Sequence, residues 1–158
     1  MAITIRPMEP AEYPLLDTFL YHAIFLPEGV EPPPFSIVEQ PELRVYTQDF
    51  GTSPHDRALV ADRDGEIIGA VWVRIMDDYG HIDEDTPSLA ISLLPAYRGQ
   101  GTGTALMRAM LHELREAGYA QVSLSVQAAN AAVRLYKRLG FTVLRAQDEE
   151  LIMCCTIR

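Results

Sequence analysis

The chain has 158 residues, of which 48% are hydrophobic and 22% charged, and 22 acidic residues against 13 Lys and Arg give it a formal net charge of −9. This composition excludes a disordered chain, and its acidity argues against a nucleic-acid partner and favours a cationic or neutral one. The sequence shows neither an apolar run of about 18 residues, as a membrane span needs, nor a signal-peptide pattern at its start. We therefore expect a single cytoplasmic domain without membrane contact.

The first half of the sequence predicts a strand, two helices and a hairpin. Residues 3–8 form the strand, and apolar residues at helical spacing predict a helix over 10–25. A proline-rich loop covers 26–35, and a short helix over 41–51 ends at Gly51. Two β-rich runs within 57–76 flank Asp64 and Gly65, which suit a hairpin turn. An acidic loop follows over 77–87.

The second half alternates strands and helices. Strands are predicted over 88–94, 121–127, 141–146 and 150–157, and helices over 101–117 and 130–139. Because these elements follow a hairpin, we expect a mixed α/β fold around one sheet. Cys154 and Cys155 are adjacent, so on a strand they point to opposite faces and a disulfide between them is not expected. Neither has neighbours at metal-ligand spacing, and no metal site is predicted.

Three glycines at alternate positions, Gly99, Gly101 and Gly103, lie after a predicted strand, where the next predicted helix begins. Unpaired N–H groups at a helix N-terminus bind anions, and glycine lets a phosphate approach the backbone. Arg98 adds a charged donor beside the turn. A diphosphate is the natural ligand, although a tight turn that binds nothing would use the same residues. The spacing differs from the Walker A and dinucleotide-binding patterns.

The segment RGQGTG over 98–103 resembles the Q/R-x-x-G-x-G/A element of the GNAT N-acetyltransferases. A second segment, LSVQAANAAVRLYKRLGF over 124–141, is similar to another signature of that family, and the two have the family's order and a similar separation. The resemblance covers residues 88–144. It implies the GNAT acyltransferase fold, a central twisted mixed sheet flanked by helices, in one domain over residues 1–158.

The resemblance also implies that acetyl-CoA is the donor cosubstrate. The amides of the glycine turn would hold its pyrophosphate, the strand before the turn would pair with its pantetheine arm, and the amide region of Leu93 would polarise the thioester carbonyl. Asn130 would contact the arm, although its position equally suits a helix N-cap. The predicted cofactor-binding residues are Ile91, Ser92, Leu93, Arg98, Gly99, Gln100, Gly101, Thr102, Gly103, Thr104 and Asn130.

Acetyl transfer to an amine needs a base, donors to the carbonyl oxygen and a proton for the departing thiolate. The resemblance places Tyr136 near the sulfur as the acid, although this residue also suits a core position. Glu84 and His81 in the acidic loop are the candidate bases, because crowded carboxylates raise one another's pKa. An ordinary solvated loop is the alternative.

These residues predict an enzyme, an acetyl-CoA-dependent N-acetyltransferase that acts on a cationic primary amine, either a small molecule or a peptide. Direct attack in a ternary complex is expected because neither cysteine has an activating neighbour. The alternative is an acyl-CoA-binding sensor without turnover. In the family, the region of Tyr21, His22 and Glu28 often walls the acceptor site. Dimers are common in such families, so a homodimer is one expectation.

Overall fold

Seven strands form one sheet with helices on both faces in the computed structural model, which describes residues 2–157. The sheet order is β1-β2-β3-β4-β5-β7-β6, in which β4 and β5 are parallel and the other neighbours antiparallel. The predicted mixed α/β fold is confirmed. The strands are β1 Ile3–Pro7, β2 Arg57–Arg63, β3 Glu66–Arg74, β4 Ser88–Leu93, β5 Gln121–Gln127, β6 Phe141–Gln147 and β7 Glu150–Thr156.

The sheet separates two apolar cores. Helices α3 Thr102–Glu116 and α4 Ala132–Arg138 cover one face, where α3 buries Leu106, Met110 and Leu114. Helices α1 Leu16–Ala23 and α2 Pro41–Arg44 lie on the other face, where α1 packs against Trp72 of β3. We call these the α3 face and the α1 face of the sheet.

Two predicted helices are shorter than the sequence pattern indicates. The region 10–25 begins as a 3-10 helix, Pro10–Leu15, and continues as α1. Pro14 lies inside this first part and has no N–H group for an α-helical bond. The helix predicted over 41–51 ends at Arg44, and the chain then turns through Asp49 and Gly51, whose φ angles are 54° and 98°.

The segment after α2 is held on the sheet by a buried ion pair. Arg74 of β3 bonds Asp56 at 3.1 Å, and the two side chains are 10% and 0% exposed. The same guanidinium donates to the Gln48 carbonyl at 2.7 Å. The indole of Trp72 donates to the Tyr46 carbonyl at 3.0 Å. These bonds fix the position of Tyr46 above the sheet.

The strands β4 and β5 diverge from one end. Their only register pair among the described residues is Ser88 with Ser123, beside which the Ser123 N–H donates to the Pro87 carbonyl at 3.0 Å. Beyond this point β4 stays paired with β3, and β5 stays paired with β7. A gap therefore opens in the middle of the sheet towards the carboxyl ends of the two strands.

The buried ion pair provides a stability test. Asp56→Ala leaves the Arg74 guanidinium buried without its counter-ion, and we expect the free energy of unfolding to fall by about 3–5 kcal/mol. Urea denaturation measures the change. Glu116→Gln removes an exposed partner of His112 and should alter stability by less than about 0.5 kcal/mol. Equal effects of the two substitutions would contradict the assigned role of the pair.

Candidate functional site

The glycine turn leaves backbone amides free at the start of α3. Gly99 and Gly101 have φ angles of 76° and 85°, a left-handed conformation that favours glycine. The first helical bond runs from the Ala105 N–H to the Gly101 carbonyl at 3.1 Å. The amides of Thr102 to Thr104 therefore have no acceptor within the helix, and they carry the positive end of its dipole.

Gly103 has open space beside it that the fold itself does not need. Its φ angle lies outside the left-handed range, and an added Cβ would meet nothing closer than Leu93 Cδ1 at 3.9 Å, an ordinary contact. Glycine inside a helix costs about 1 kcal/mol relative to alanine. The space beside the free amides is what a phosphate group would fill, so the residues present fit the pyrophosphate of acetyl-CoA.

Arg98 connects the glycine turn to the rest of the site. Its Nη2 donates to the His22 carbonyl at the end of α1 at 2.9 Å, and its Nε donates to the Leu93 carbonyl at 3.4 Å. The side chain remains exposed, so a bound anion could reach it. Burial and the nearby Arg98 charge lower the pKa of His22. Gln100 is exposed in the same turn.

Alternate main-chain groups of β4 face the gap. The Leu94 N–H donates to the Ile68 carbonyl of the neighbouring strand at 2.8 Å. Because hydrogen bonds alternate along an antiparallel pair, the main-chain groups of Ser92 also face β3, and those of Ile91 and Leu93 point towards β5. The Ser92 hydroxyl donates to the Phe19 carbonyl at 2.5 Å, which ties α1 to β4. The gap thus receives main-chain donors and acceptors from Ile91 and Leu93.

Tyr136 of α4 lies in the core on the α3 face, against Phe141 of β6. It is 8% exposed and its ring centroid is 5.9 Å from that of Phe141. Burial raises the pKa of its phenol to about 12, so the group is protonated at neutral pH. No described residue hydrogen-bonds its hydroxyl. Tyr136 is therefore part of the core and still has a proton to donate.

Asn130 caps the helix that carries Tyr136. Its Oδ1 accepts the Ala132 N–H at 2.9 Å, which satisfies one of the free amides at the start of α4. This is the capping role that the sequence allowed. A contact of Asn130 with the cofactor arm stays a prediction.

The acidic loop divides into a packed part and an exposed part. Gly80 is buried against the backbone of β5, and its carbonyl accepts the Ser123 hydroxyl at 2.6 Å. His81 is half-buried, with an Nδ1 atom that has no hydrogen-bond partner among the described residues. Glu84 is exposed beyond it. The base role of Glu84 and His81 stays a prediction.

Asp78 forms the centre of a polar group where β4 and β5 meet. Its two carboxylate oxygens accept the Ser88 hydroxyl at 2.9 Å and the Tyr46 hydroxyl at 3.0 Å. Burial raises the pKa of Asp78, and burial together with the Asp78 charge raises that of Tyr46. Ser125 on β5 is a further hydrogen-bonding neighbour of Tyr46.

An acidic cleft lies beyond this polar group at the carboxyl end of β5. It comprises two open cavities of about 610 and 770 Å³ that share Gln127 and Glu149. None of the described residues that line them is Lys or Arg. Glu28, from the region that the family resemblance places near the acceptor site, lines the cleft, and its contact with an acceptor stays a prediction. The other lining residues are Phe25, Pro27, Tyr79, Ala128, Ala129, Gln147, Asp148, Glu150 and Ile152.

Sequence reasoning missed the acidic residues of the β6–β7 turn. The register of β5 and β7 places Glu150 opposite Gln127, and the Ala128 N–H donates to the Glu149 carbonyl at 2.8 Å. These pairings join segments more than twenty residues apart. Only the partner and register of the last strand could have revealed them.

The described residues offer neither a metal-binding cluster nor a membrane-spanning helix, and the two cysteines are not activated. Within residues 2–157, no group of three or more His, Cys, Asp or Glu side chains is placed to hold a metal ion. Across the same residues, the helices are too short or too polar to cross a membrane. Cys154 and Cys155 are free, and burial raises the pKa of both thiols, which makes them poor nucleophiles.

Known proteins resemble the chain over these elements. A family model described as the acetyltransferase (GNAT) family matches residues 24–141. A mycothiol acetyltransferase of Streptosporangium roseum is 42% identical over 78 residues, which are 48% of this chain and 23% of that protein. The chain thus spans about a quarter of the length of that curated relative.

Solved structures share the fold. A GNAT-family acetyltransferase of Streptococcus pneumoniae has a TM-score of 0.72 at 21% identity, with 99% of this chain and 100% of that chain covered. The PaiA N-acetyltransferase of Thermoplasma acidophilum, solved in complex with coenzyme A, has a TM-score of 0.71 at 19% identity, with 99% of each chain covered. The predicted fold class is confirmed by these similarities.

Gly103 and Gly118 separate ligand binding from folding. Gly103→Val should leave the thermal midpoint nearly unchanged, since an added Cβ meets no described atom closer than 3.9 Å, and its branched side chain should weaken acetyl-CoA binding about tenfold or more by covering the free amides. Gly103→Ala, which the family element accepts at this position, should keep most of the affinity. Gly118→Ala, at a φ of 92° at the other end of α3, should lower the midpoint and leave the affinity unchanged. Calorimetry and thermal denaturation test all three variants. Unchanged affinity in Gly103→Val would make the turn merely structural.

Proposed function

We propose, since the chain belongs to the acetyltransferase (GNAT) family, that it transfers the acetyl group of acetyl-CoA to a cationic primary amine by direct attack in a ternary complex. The predicted family and enzyme class are confirmed, and acetyl-CoA is the donor cosubstrate of that family. The observation that carries the proposal is the gap between β4 and β5, which has the glycine turn at one end and the acidic cleft beside it.

The glycine turn and β4 are suited to hold the donor. The free amides of Thr102 to Thr104 and the exposed guanidinium of Arg98 would bind the pyrophosphate. The main-chain groups of Ile91 and Leu93 would hydrogen-bond the amide groups of the pantetheine arm, in the place that a neighbouring strand would otherwise take. When bound, acetyl-CoA supplies a thioester whose carbonyl carbon is the electrophile.

The two faces of the sheet supply different groups to the reaction. The Leu93 N–H is suited to polarise the carbonyl oxygen, because it points into the gap and is fixed by the pairing of β4 with β3. Tyr136 lies on the α3 face and would give a proton to the departing sulfur. The amine would enter from the α1 face, where the cleft opens.

The charge of the cleft supports a cationic acceptor. Its lining includes four carboxylates and, among the described residues, no Lys or Arg, in a chain of net charge −9. A cleft lined by one sign of charge concentrates ligands of the opposite sign. The four carboxylates belong to Glu28, Asp148, Glu149 and Glu150.

A screen of primary amines with acetyl-CoA, read as release of free thiol, tests the proposed function directly. Thiol release that depends on the amine, with the acetylated amine as product, is the expected result. Tight binding of acetyl-CoA without transfer to any amine would favour the acyl-CoA-binding sensor instead.

Tyr136→Phe should lower kcat by about 10²- to 10⁴-fold, as expected for loss of a general acid. The affinity for acetyl-CoA and the thermal midpoint should change little, since no described residue bonds the hydroxyl. Tyr119→Phe is the control, because it removes a half-buried phenol hydroxyl that bonds His55 at 2.7 Å, remote from the gap. A kcat within about threefold of wild type in Tyr136→Phe would exclude it as the acid.

Three amines of equal length test the charge of the acceptor. The end of each molecule that does not react would lie among the carboxylates of the cleft, and it is an ammonium in 1,4-diaminobutane, a hydroxyl in 4-aminobutan-1-ol and a carboxylate in 4-aminobutanoate. The kcat/KM should therefore decrease in that order. For the diamine, kcat/KM should also fall between low and physiological salt, where the Debye length shortens to about 8 Å. Equal values for the three amines, independent of salt, would exclude charge selection.

A further inference from the structure

Glu150, the first residue of β7, lines the cleft, and its carboxylate has no role in the steps described above. We propose that the Glu150 carboxylate binds the ammonium group of the acceptor and removes the proton that must leave before attack. This inference rests on the proposed function and names the base that the reaction requires.

The register of the sheet places Glu150 level with the reacting groups. Four residues beyond the Ser88–Ser123 pair, β4 reaches Ser92 and β5 reaches Gln127, about 13 Å along each strand. Ser92 lies between the two residues whose main-chain groups face the gap. Glu150 is the β7 partner of Gln127, so it lies at the same level as the expected thioester carbonyl.

The side chain of Glu150 lies on the α1 face, opposite Tyr136. Directly paired residues of neighbouring strands share a face, and the Gln127 amide donates to Glu150 Oε2. The apolar residues that alternate with Gln127 on β5 belong to the core that contains Tyr136. A base on one face and an acid on the other suit a reaction in which the amine arrives and the thiolate departs on opposite sides of the gap.

Glu150 is a half-buried carboxylate without a cationic partner. None of the ion pairs among the described residues includes it, and burial raises its pKa. Gln127 and Ser125 provide only neutral hydrogen bonds. A partly desolvated carboxylate of this kind is stabilised by a cation that enters the open cavity.

Among the described residues, the titratable side chains that line the cavity of Glu150 are acidic or phenolic. The register of β6 and β7 adds one cation outside that lining, Arg145, which pairs with Ile152 and so lies on the same face as Glu150. Arg145 is exposed and forms no ion pair with Glu150.

Asp78 is less suited to bind the amine, since Ser88 and Tyr46 already bond its two oxygens. The neighbouring Glu149 is exposed in the turn. The groups that face Glu150 or line its cavity are Tyr46, Asp78, Tyr79, Asp148 and Glu149.

The protons balance with Glu150 as the base. An N–H bond of the ammonium breaks and its proton moves to the carboxylate, which leaves a lone pair on nitrogen. The C–N bond forms at the carbonyl carbon and the C–S bond breaks, with its electron pair on sulfur. Tyr136 gives a proton to the sulfur and is restored by the second proton that the acylated nitrogen loses. Glu150 then releases its proton to water in the open cleft.

The pH dependence of kcat/KM for 1,4-diaminobutane tests the assignment. In wild type the ammonium form is the substrate, so kcat/KM should rise through the raised pKa of Glu150 and then stay level until the amine itself deprotonates near its ordinary pKa of about 10. Glu150→Gln can use only the free amine. Its kcat/KM should be about 10²-fold lower at pH 7 and should rise about tenfold per pH unit across the neutral range.

Binding gives a second readout. By calorimetry on the protein saturated with coenzyme A, Glu150→Gln should bind 1,4-diaminobutane at least about tenfold more weakly, and Glu150→Asp should retain part of the affinity. The acetyl-CoA affinity and the thermal midpoint should stay at wild-type values in both variants. Glu116→Gln, on the exposed surface of α3, is the control for loss of one remote charge.

The outcomes separate the inference from the proposed function. Suppose that the wild-type protein transfers the acetyl group to the diamine. If Glu150→Gln then keeps the level pH dependence of the wild type, or if the tenfold-per-unit slope appears in Glu84→Gln instead, the role of Glu150 is overturned and the proposed function stands. Transfer by wild type to none of the three test amines would overturn the proposed function with these acceptors. In that case the calorimetric comparison decides whether Glu150 is the ammonium site.

Discussion

The separation of β4 from β5 is the constraint on which the site depends. The two strands meet at Ser88 and Ser123, and β3 and β7 hold them apart beyond that point through full-length pairing. The packed part of the acidic loop adds to this by placing Gly80 against the backbone of β5. The main-chain groups that β4 turns towards the gap are then left without a strand partner. Because unpaired backbone groups favour any ligand that can bond them, the fold offers an extended binding edge in the middle of a sheet.

The two faces of the sheet give the gap two chemical environments. On the α3 face, Tyr136 is enclosed by apolar side chains, and burial keeps its phenol protonated. On the α1 face, β5 carries polar residues that lead from the Asp78 group to Glu150 and the open cleft. Burial raises the pKa of the candidate acid, Tyr136, and of the candidate base, Glu150, with a different chemical consequence for each. It preserves the proton of the phenol and makes the carboxylate a stronger base, which is how one site can hold both functions near neutral pH.

Periodicity and turn chemistry predicted most of the fold. The strands, the hairpin at Asp64 and Gly65 and the helix after the glycine turn could be read from local patterns, since each is determined by its own residues. The helix over 10–25 was wrong in its first turns, because Pro14 outweighs the apolar spacing. For the candidate site, the resemblance to family motifs predicted the turn and Tyr136. Glu150 and the Tyr46–Asp78 pair were not predicted, since they depend on strand register and on contacts between residues far apart in the chain.

Residue-resolved amide hydrogen exchange, with and without acetyl-CoA, tests the central claim most directly. The amides of Ala90 and Ser92 face β3 and should be protected in both states. Those of Ile91 and Leu93 face the gap, and we expect them to exchange fast in the free protein and to become protected with the amides of Thr102 to Thr104 when acetyl-CoA binds. If Ile91 and Leu93 keep the same exchange rates while protection appears elsewhere, the gap between β4 and β5 is not the donor site.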